Sequence, residues 1–132
     1  METSSIELTG AQIDRIEFAD GTVRLHFPRV HIVKSMTGSA ERTRWWQAGD
    51  LVLEDAEVEG DIPTGPLVCA GGDVGENVYT YRDMIPVPLA SRGHAHCALS
   101  FEGTGHKLVA RGSGVRLEMI ATPKYIEHLR PG

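Results

Sequence analysis

The feature that most constrains this chain is an alternation of apolar and polar residues at period two, the spacing that puts successive side chains on opposite faces of a β-strand. Its clearest instance runs from Ile16 to Phe27, where Asp20-Gly21 separates two alternating segments. That dipeptide readily adopts the two positive φ angles of a type I′ turn, so the run predicts a tight hairpin. On its second strand Val23, Leu25 and Phe27 share one face, and Thr22, Arg24 and His26 the other. Pro28 then removes a ladder donor, so Val30 to Val33 is expected to continue as an edge strand or beyond a bulge.

Met36 to Arg42 is small and polar and reads as a loop, followed by two strands, Arg44-Trp45-Trp46-Gln47 and Asp50 to Glu59, separated by Gly49. Asp61 to Gly93 holds four of the seven prolines together with Gly65, Gly71, Gly72 and Gly75, and is the least regular third. Short strands are expected there at Leu67 to Ala70 and around Val78 to Arg82, with Gly71 to Asn77 a turn-rich loop that fits neither a calcium loop nor a phosphate loop. His94 to Glu102, His106 to Arg111 and Val115 to Ile120 are divided by Gly103-Thr104-Gly105 and Gly112-Ser113-Gly114, the spacing of a three-stranded meander. Thr122 as an N-cap and Pro123 at the first helical position predict one short C-terminal helix ending near Arg130. The expected fold class is mainly β, a single domain over residues 1–132 forming an antiparallel β-sandwich or partly open barrel with that one helix.

A chain of 132 residues is the size of one domain, and 41% hydrophobic residues suffice for a packed core. The net charge of −5 works against binding a phosphate backbone, which disfavours nucleic acid as a partner. No apolar run approaches the roughly 20 residues of a membrane-spanning helix, so no membrane role is indicated. The N-terminus carries Glu2 and Glu7 where a secretory signal needs basic residues, and Cys69 and Cys97 are isolated from each other. Both features lead to the expectation of a cytoplasmic protein with reduced thiols. Cys97 falls on an apolar face and Cys69 reads as the more accessible; no catalytic residue is assigned.

Two constellations stand out. The first is Gly93-His94-Ala95-His96, because alternate histidines on a strand present both imidazoles on one face. His106 across a turn and Glu102 at the same parity complete a candidate metal set of His94, His96, Glu102 and His106, a mixture of nitrogen and oxygen donors suited to a divalent metal. This pattern is similar to the cupin arrangement of His-x-His followed by Glu and Gly, with Glu102 and Gly112 in those roles. Five residues stand between His96 and Glu102, where cupins have three or four, and the companion motif with a further histidine is not found. The plainer reading makes His94 and His96 the wet face of a strand whose other face is core.

The second constellation is charge segregation. Thr22 to Trp46 carries Arg24, Arg29, Lys34, Arg42 and Arg44 against Glu41, a balance of +4, whereas Gln47 to Asp83 carries nine acids against Arg82, a balance of −8. Either these segments neutralise one another across neighbouring strands, or Arg42, Arg44, Trp45 and Trp46 form a recognition surface of the Trp and Arg type enriched at interface hot spots. Only one of two adjacent tryptophans on a strand can face inward. These features favour a non-catalytic binding or protein-interaction module that meets a protein partner or a second copy of itself. The alternative is a metal-dependent small-molecule-binding β-barrel using the His-x-His strand.

Overall fold

The computed structural model describes residues Glu2–Leu129. Of these, 76% lie in strands and none in a helix. The strands are β1 (Glu2–Glu7), β2 (Gln12–Ile13), β3 (Arg15–Ala19), β4 (Thr22–Met36), β5 (Arg42–Glu54), β6 (Glu57–Glu59), β7 (Leu67–Glu76), β8 (Tyr79–Arg82), β9 (Met84–Val87), β10 (Ala90–Phe101) and β11 (Lys107–Leu129). They form one antiparallel sheet in the order β2-β7-β10-β11-β5-β4-β1-β9, with β3 beside β4, β6 beside β11 and β8 beside β7.

The ladder does not close, yet its ends are tied together. The stretch from β1 to β2 leaves one end of the sheet and reaches the other, as does the corner from β8 to β9. Backbone hydrogen bonds from Leu8 N to Asp83 O, Gly10 N to Cys69 O and Cys69 N to Ala11 O fasten those crossings. The curl encloses one core, whose largest fully buried members include Ile6, Leu8, Ile13, Leu25, Phe27, Leu51, Leu53 and Leu99.

The hairpin is as the alternation predicts. Ala19 pairs with Thr22 around Asp20 (φ 52°) and Gly21 (φ 76°), and Val23, Leu25 and Phe27 are fully buried. Pro28 falls in a bulge: the β4–β5 register shifts between Phe27 and Val30, and β4 continues inside the sheet.

Elsewhere glycine does not punctuate as expected. Gly49 is interior to β5, and the turn comes instead at Asp55 (φ 48°). The stretch from Gly71 to Glu76 is strand, not loop, because β10 packs so closely on β7 that a Cβ at Gly72 would strike the carbonyl oxygen of Ala98. Gly112-Ser113-Gly114 is likewise interior to β11, so the meander is a two-stranded hairpin in which β11 exchanges β10 for β5 as its main partner.

The C-terminal helix is absent; through Leu129 the chain is strand, and Arg130 lies outside the described residues. A helix of two turns is marginal alone, whereas as a strand this segment pairs Tyr125 with Trp45 and Lys124 with Trp46. Pro123 follows Ala121 (φ 62°) at a break in that ladder, where a missing N–H costs little. No helix among the described residues is long and apolar enough to cross a membrane.

Candidate functional site

A broad concavity among the described residues follows from the failure of the sheet to close. β2 pairs with β7 through Gln12↔Val68 and Ile13↔Leu67, but no ladder joins β2 to β4, whose facing stretch is the Pro28 bulge. A single backbone bond, Asp14 N to His26 O, crosses there. Beside this seam lies a groove of about 670 Å³ lined by Leu67, Val68, Pro28 and Pro66 together with Asp14, Glu102 and Thr104. Across Gln12, which lines both, is a smaller polar cleft of about 220 Å³ whose walls include Arg29, His31, Thr9 and Glu7. One depression is largely apolar with Asp14 and Glu102 in its lining and the other carries Arg29 and Glu7, an arrangement suited to an extended chain with mixed character. This site is not legible in the sequence because it is assembled from strand ends and turns far apart in the chain, among them Pro28, which reads only as a strand interruption.

The four candidate metal ligands do not gather. His94 and His96 stand side by side with ring centroids 6.0 Å apart, the second lying over Gly75. Glu102 is six residues further along, about 20 Å at the rise of a strand, in the turn whose backbone N–H donates to Val68 O. His106 is exposed in the same turn, its N–H bonded to Thr104 Oγ1. Among the described residues no three His, Cys, Asp or Glu side chains converge as a metal ion requires.

Arg42, Arg44, Trp45 and Trp46 all lie on β5, and alternation sends Trp45 the opposite way from the other three. Trp45 packs against the core, meets the Tyr125 ring edge-on at 5.4 Å, receives the Lys34 ammonium at 4.4 Å from its centroid and donates from Nε1 to Thr43 Oγ1 at 2.8 Å. Trp46 points outward and is flanked by Arg29 at 4.8 Å and Lys124 at 5.1 Å. Arg44 is engaged by Glu7 at 3.0 Å and Glu127 at 3.3 Å, while Arg42 lines a surface cleft with Lys34, Glu41 and His128. Within the basic segment Arg24 and Arg44 are ion-paired to carboxylates on β1, β5 and β11, whereas Arg29 and Lys34 lie over the Trp46 and Trp45 rings.

The same outward face carries an ion-pair network over β4, β5 and β11. Asp50, nearly buried, accepts from Arg24 Nη1 at 2.7 Å and lies 2.7 Å from His26 Nδ1. Glu118 accepts from Arg24 at 2.8 Å and from Arg116 Nε at 2.7 Å, and Arg116 also pairs with Glu54. These bonds hold the Glu118 carboxyl below its usual range, hydrogen bonding from Arg24 being the main cause, and raise both guanidiniums further. They reinforce charges these groups carry at neutral pH in any case. The thiols are the reverse of activated nucleophiles: burial raises Cys69, which is as inaccessible as Cys97 contrary to the sequence expectation, and pushes Cys97 up to about 12.

The site belongs to an all-β domain whose sheet leaves one seam open. No known protein family, characterised protein or solved structure matches the chain.

Proposed function

We propose that this chain is a non-catalytic binding module: a partly open β-barrel, or sandwich, that takes an extended segment of a partner protein across its open seam. The observation that carries this reading is the 670 Å³ groove beside β2, lined by apolar Leu67 and Val68 together with Asp14 and Glu102. A groove of that size with a few fixed polar groups is the usual form of a recognition site. The buried thiols with raised pKa are not activated nucleophiles, and the Arg24–Glu118–Arg116 pairs stabilise ordinary charge states.

Selection of random peptides displayed on phage against the immobilised domain tests the proposal. The expected result is an enriched apolar consensus with a cationic residue, whose synthetic form shifts the amide resonances of Leu67, Val68 and Glu102 and loses binding in a Leu67→Asp variant. Enriched peptides that bind this variant as well as the parent would overturn the groove as the site.

A further inference from the structure

Besides the two-residue β2 at the seam, the sheet has several edges without a ladder partner among the described residues, and all but β3 carry a proline or a break or run to four residues or fewer. β11 beyond Arg116 carries Pro123 and two register breaks, and β9 carries Pro86 with Pro88 just after it. β6 is three residues long and bears two glutamates, and β8 is four residues long. Such prolines, breaks, charges and short lengths are how natural sheets avoid unwanted pairing.

β3 differs. It is joined to β4 alone, carries no proline, and no backbone hydrogen bond outside that ladder reaches residues 15–19. In a two-residue hairpin the closing pair, here Ala19 and Thr22, exchanges both hydrogen bonds, and the pairing then alternates. The N–H and C=O groups of Ala19 and Glu17 therefore point into β4, and those of Ile16 and Phe18 point outward. The side chains of Ile16 and Phe18 lie opposite Leu25 and Val23, both fully buried, so they are on the core side. Phe18 is nonetheless 45% exposed. An aromatic ring on the inner face of an unpaired edge marks a layer that ends one strand early.

We infer that the outer edge of β3 receives one further strand from a partner protein, with apolar side chains against Ile16 and Phe18 and a lysine or arginine opposite Glu17. This rests on reading the chain as a binding module, and it names what the partner presents. Charge argues for the cation: along the edge Asp14, Glu17 and Asp20 outnumber Arg15, which lies 3.7 Å from Asp14 and 3.0 Å from Glu17, and Arg24, in register with Glu17 on β4, is held by Asp50 and Glu118. A second copy of β3 fits less well. The two-fold register that sets Ile16 against Phe18 is centred on Glu17 and opposes like charges; centring on Ile16 pairs Arg15 with Glu17 but sets Phe18 against Asp14, and centring on Phe18 sets Ile16 against Asp20. Asp14 also lines the groove, so one extended segment can lie in the groove and continue along β3. Main-chain bonds then give affinity and alternate side chains give selectivity, as in strand addition generally.

The test uses a blocked peptide of alternating valine and lysine, with alternating valine and glutamate as the control, read by amide hydrogen exchange and resonance shifts. On binding the lysine peptide, the Ile16 and Phe18 amides gain protection while Glu17, already bonded to β4, does not change. Glu17→Lys weakens that peptide about tenfold or more and admits the glutamate peptide. Phe18→Pro removes an outward N–H without touching the β4 ladder and abolishes binding, its spectrum reporting that the fold is kept. Unchanged exchange at Ile16 and Phe18, or equal affinity in Glu17→Lys, overturns the proposal. Shifts at Leu67, Val68 and Glu102 with Ile16 and Phe18 unprotected overturn the edge and leave the groove reading intact; the opposite pattern removes the groove and keeps the edge.

Discussion

Arg24 and Glu118, 94 residues apart in the chain, meet at 2.8 Å on either side of Val52 in the strand between them. Val52 is fully buried although it lies on the outward face, away from the core cluster. Its neighbours across both ladders are Arg24 and Arg116, whose aliphatic stems roof it while Glu118 ties their heads together. Glu118→Gln keeps the shape and removes the charge, and is expected to cost about 1 kcal/mol or less, because the pair is part-exposed. Arg24→Ala also uncovers Val52, so it should cost more than Arg24→Met. Urea unfolding of the three variants checks the order.

The network also sets a pH dependence. Arg24 and Arg116 hold the Glu118 carboxyl below its usual range, and Arg82 does the same to Asp73. A carboxyl depressed in the folded state contributes stability that is fully present above its unfolded value, about 4.3 for Glu and 3.9 for Asp, and is lost as pH falls through the folded value. The melting temperature should therefore decline as pH is lowered below about 4.3, the higher of those unfolded values. Glu118→Gln should flatten that acid limb. An identical acid limb in the variant would remove Glu118 from the account.

Two glycines of β7 make a graded pair. A Cβ at Gly72 would strike the Ala98 carbonyl oxygen, and its φ of 144° is one that side chains rarely adopt. Gly72→Ala is expected to cost about 3 kcal/mol or more, since neither the backbone nor the dihedral can yield cheaply. At Gly75 the obstacle is the His96 imidazole, which can swing away, so Gly75→Ala should cost about 1–2 kcal/mol and be largely rescued by His96→Ala. Absence of rescue in the double variant would mean that His96 does not rest on Gly75.

Cys97 is fully buried with its thiol pushed up to about 12, and Cys69 is buried and raised. At pH 8 a disulfide reagent should leave both thiols unmodified in the native protein and titrate two after denaturation. Fast labelling of the native protein would show that β7 or β10 opens readily.

What was legible in the sequence depended on whether a local pattern had one structural solution. Asp20-Gly21 between alternating runs has one, and its hairpin formed in register. The glycines of 71–75 and 112–114 have two, a turn or a close strand approach, and only the position of a neighbouring strand chooses between them. Thr122-Pro123 reads as a helix start until Trp45 supplies a cross-strand partner for Tyr125. The His-x-His spacing correctly put two rings on one face, but alternation says nothing of how far Glu102 lies along the strand. The groove was invisible, since its walls come from residues 12–14, 28, 66–68 and 102–104 and no local signal joins them.

The adjacent tryptophans offer a direct measure of which face each serves. Trp45 rests on the core, contacts Tyr125 edge-on and has its indole N–H satisfied by Thr43, so its removal loses packing, an aromatic pair and a hydrogen bond. Trp46 faces outward, and its ring is held between Arg29 and Lys124. Since Trp45 is only half-buried, Trp45→Ala should cost about 3 kcal/mol, the lower end for a buried aromatic. Trp46→Ala loses cation–π contacts and partial burial, and should cost about 1 kcal/mol. If Trp46 served a partner rather than the fold, its removal would reduce peptide binding while leaving the urea midpoint within that small shift. Equal midpoints for the two alanine variants would mean that β5 does not divide its tryptophans between core and surface.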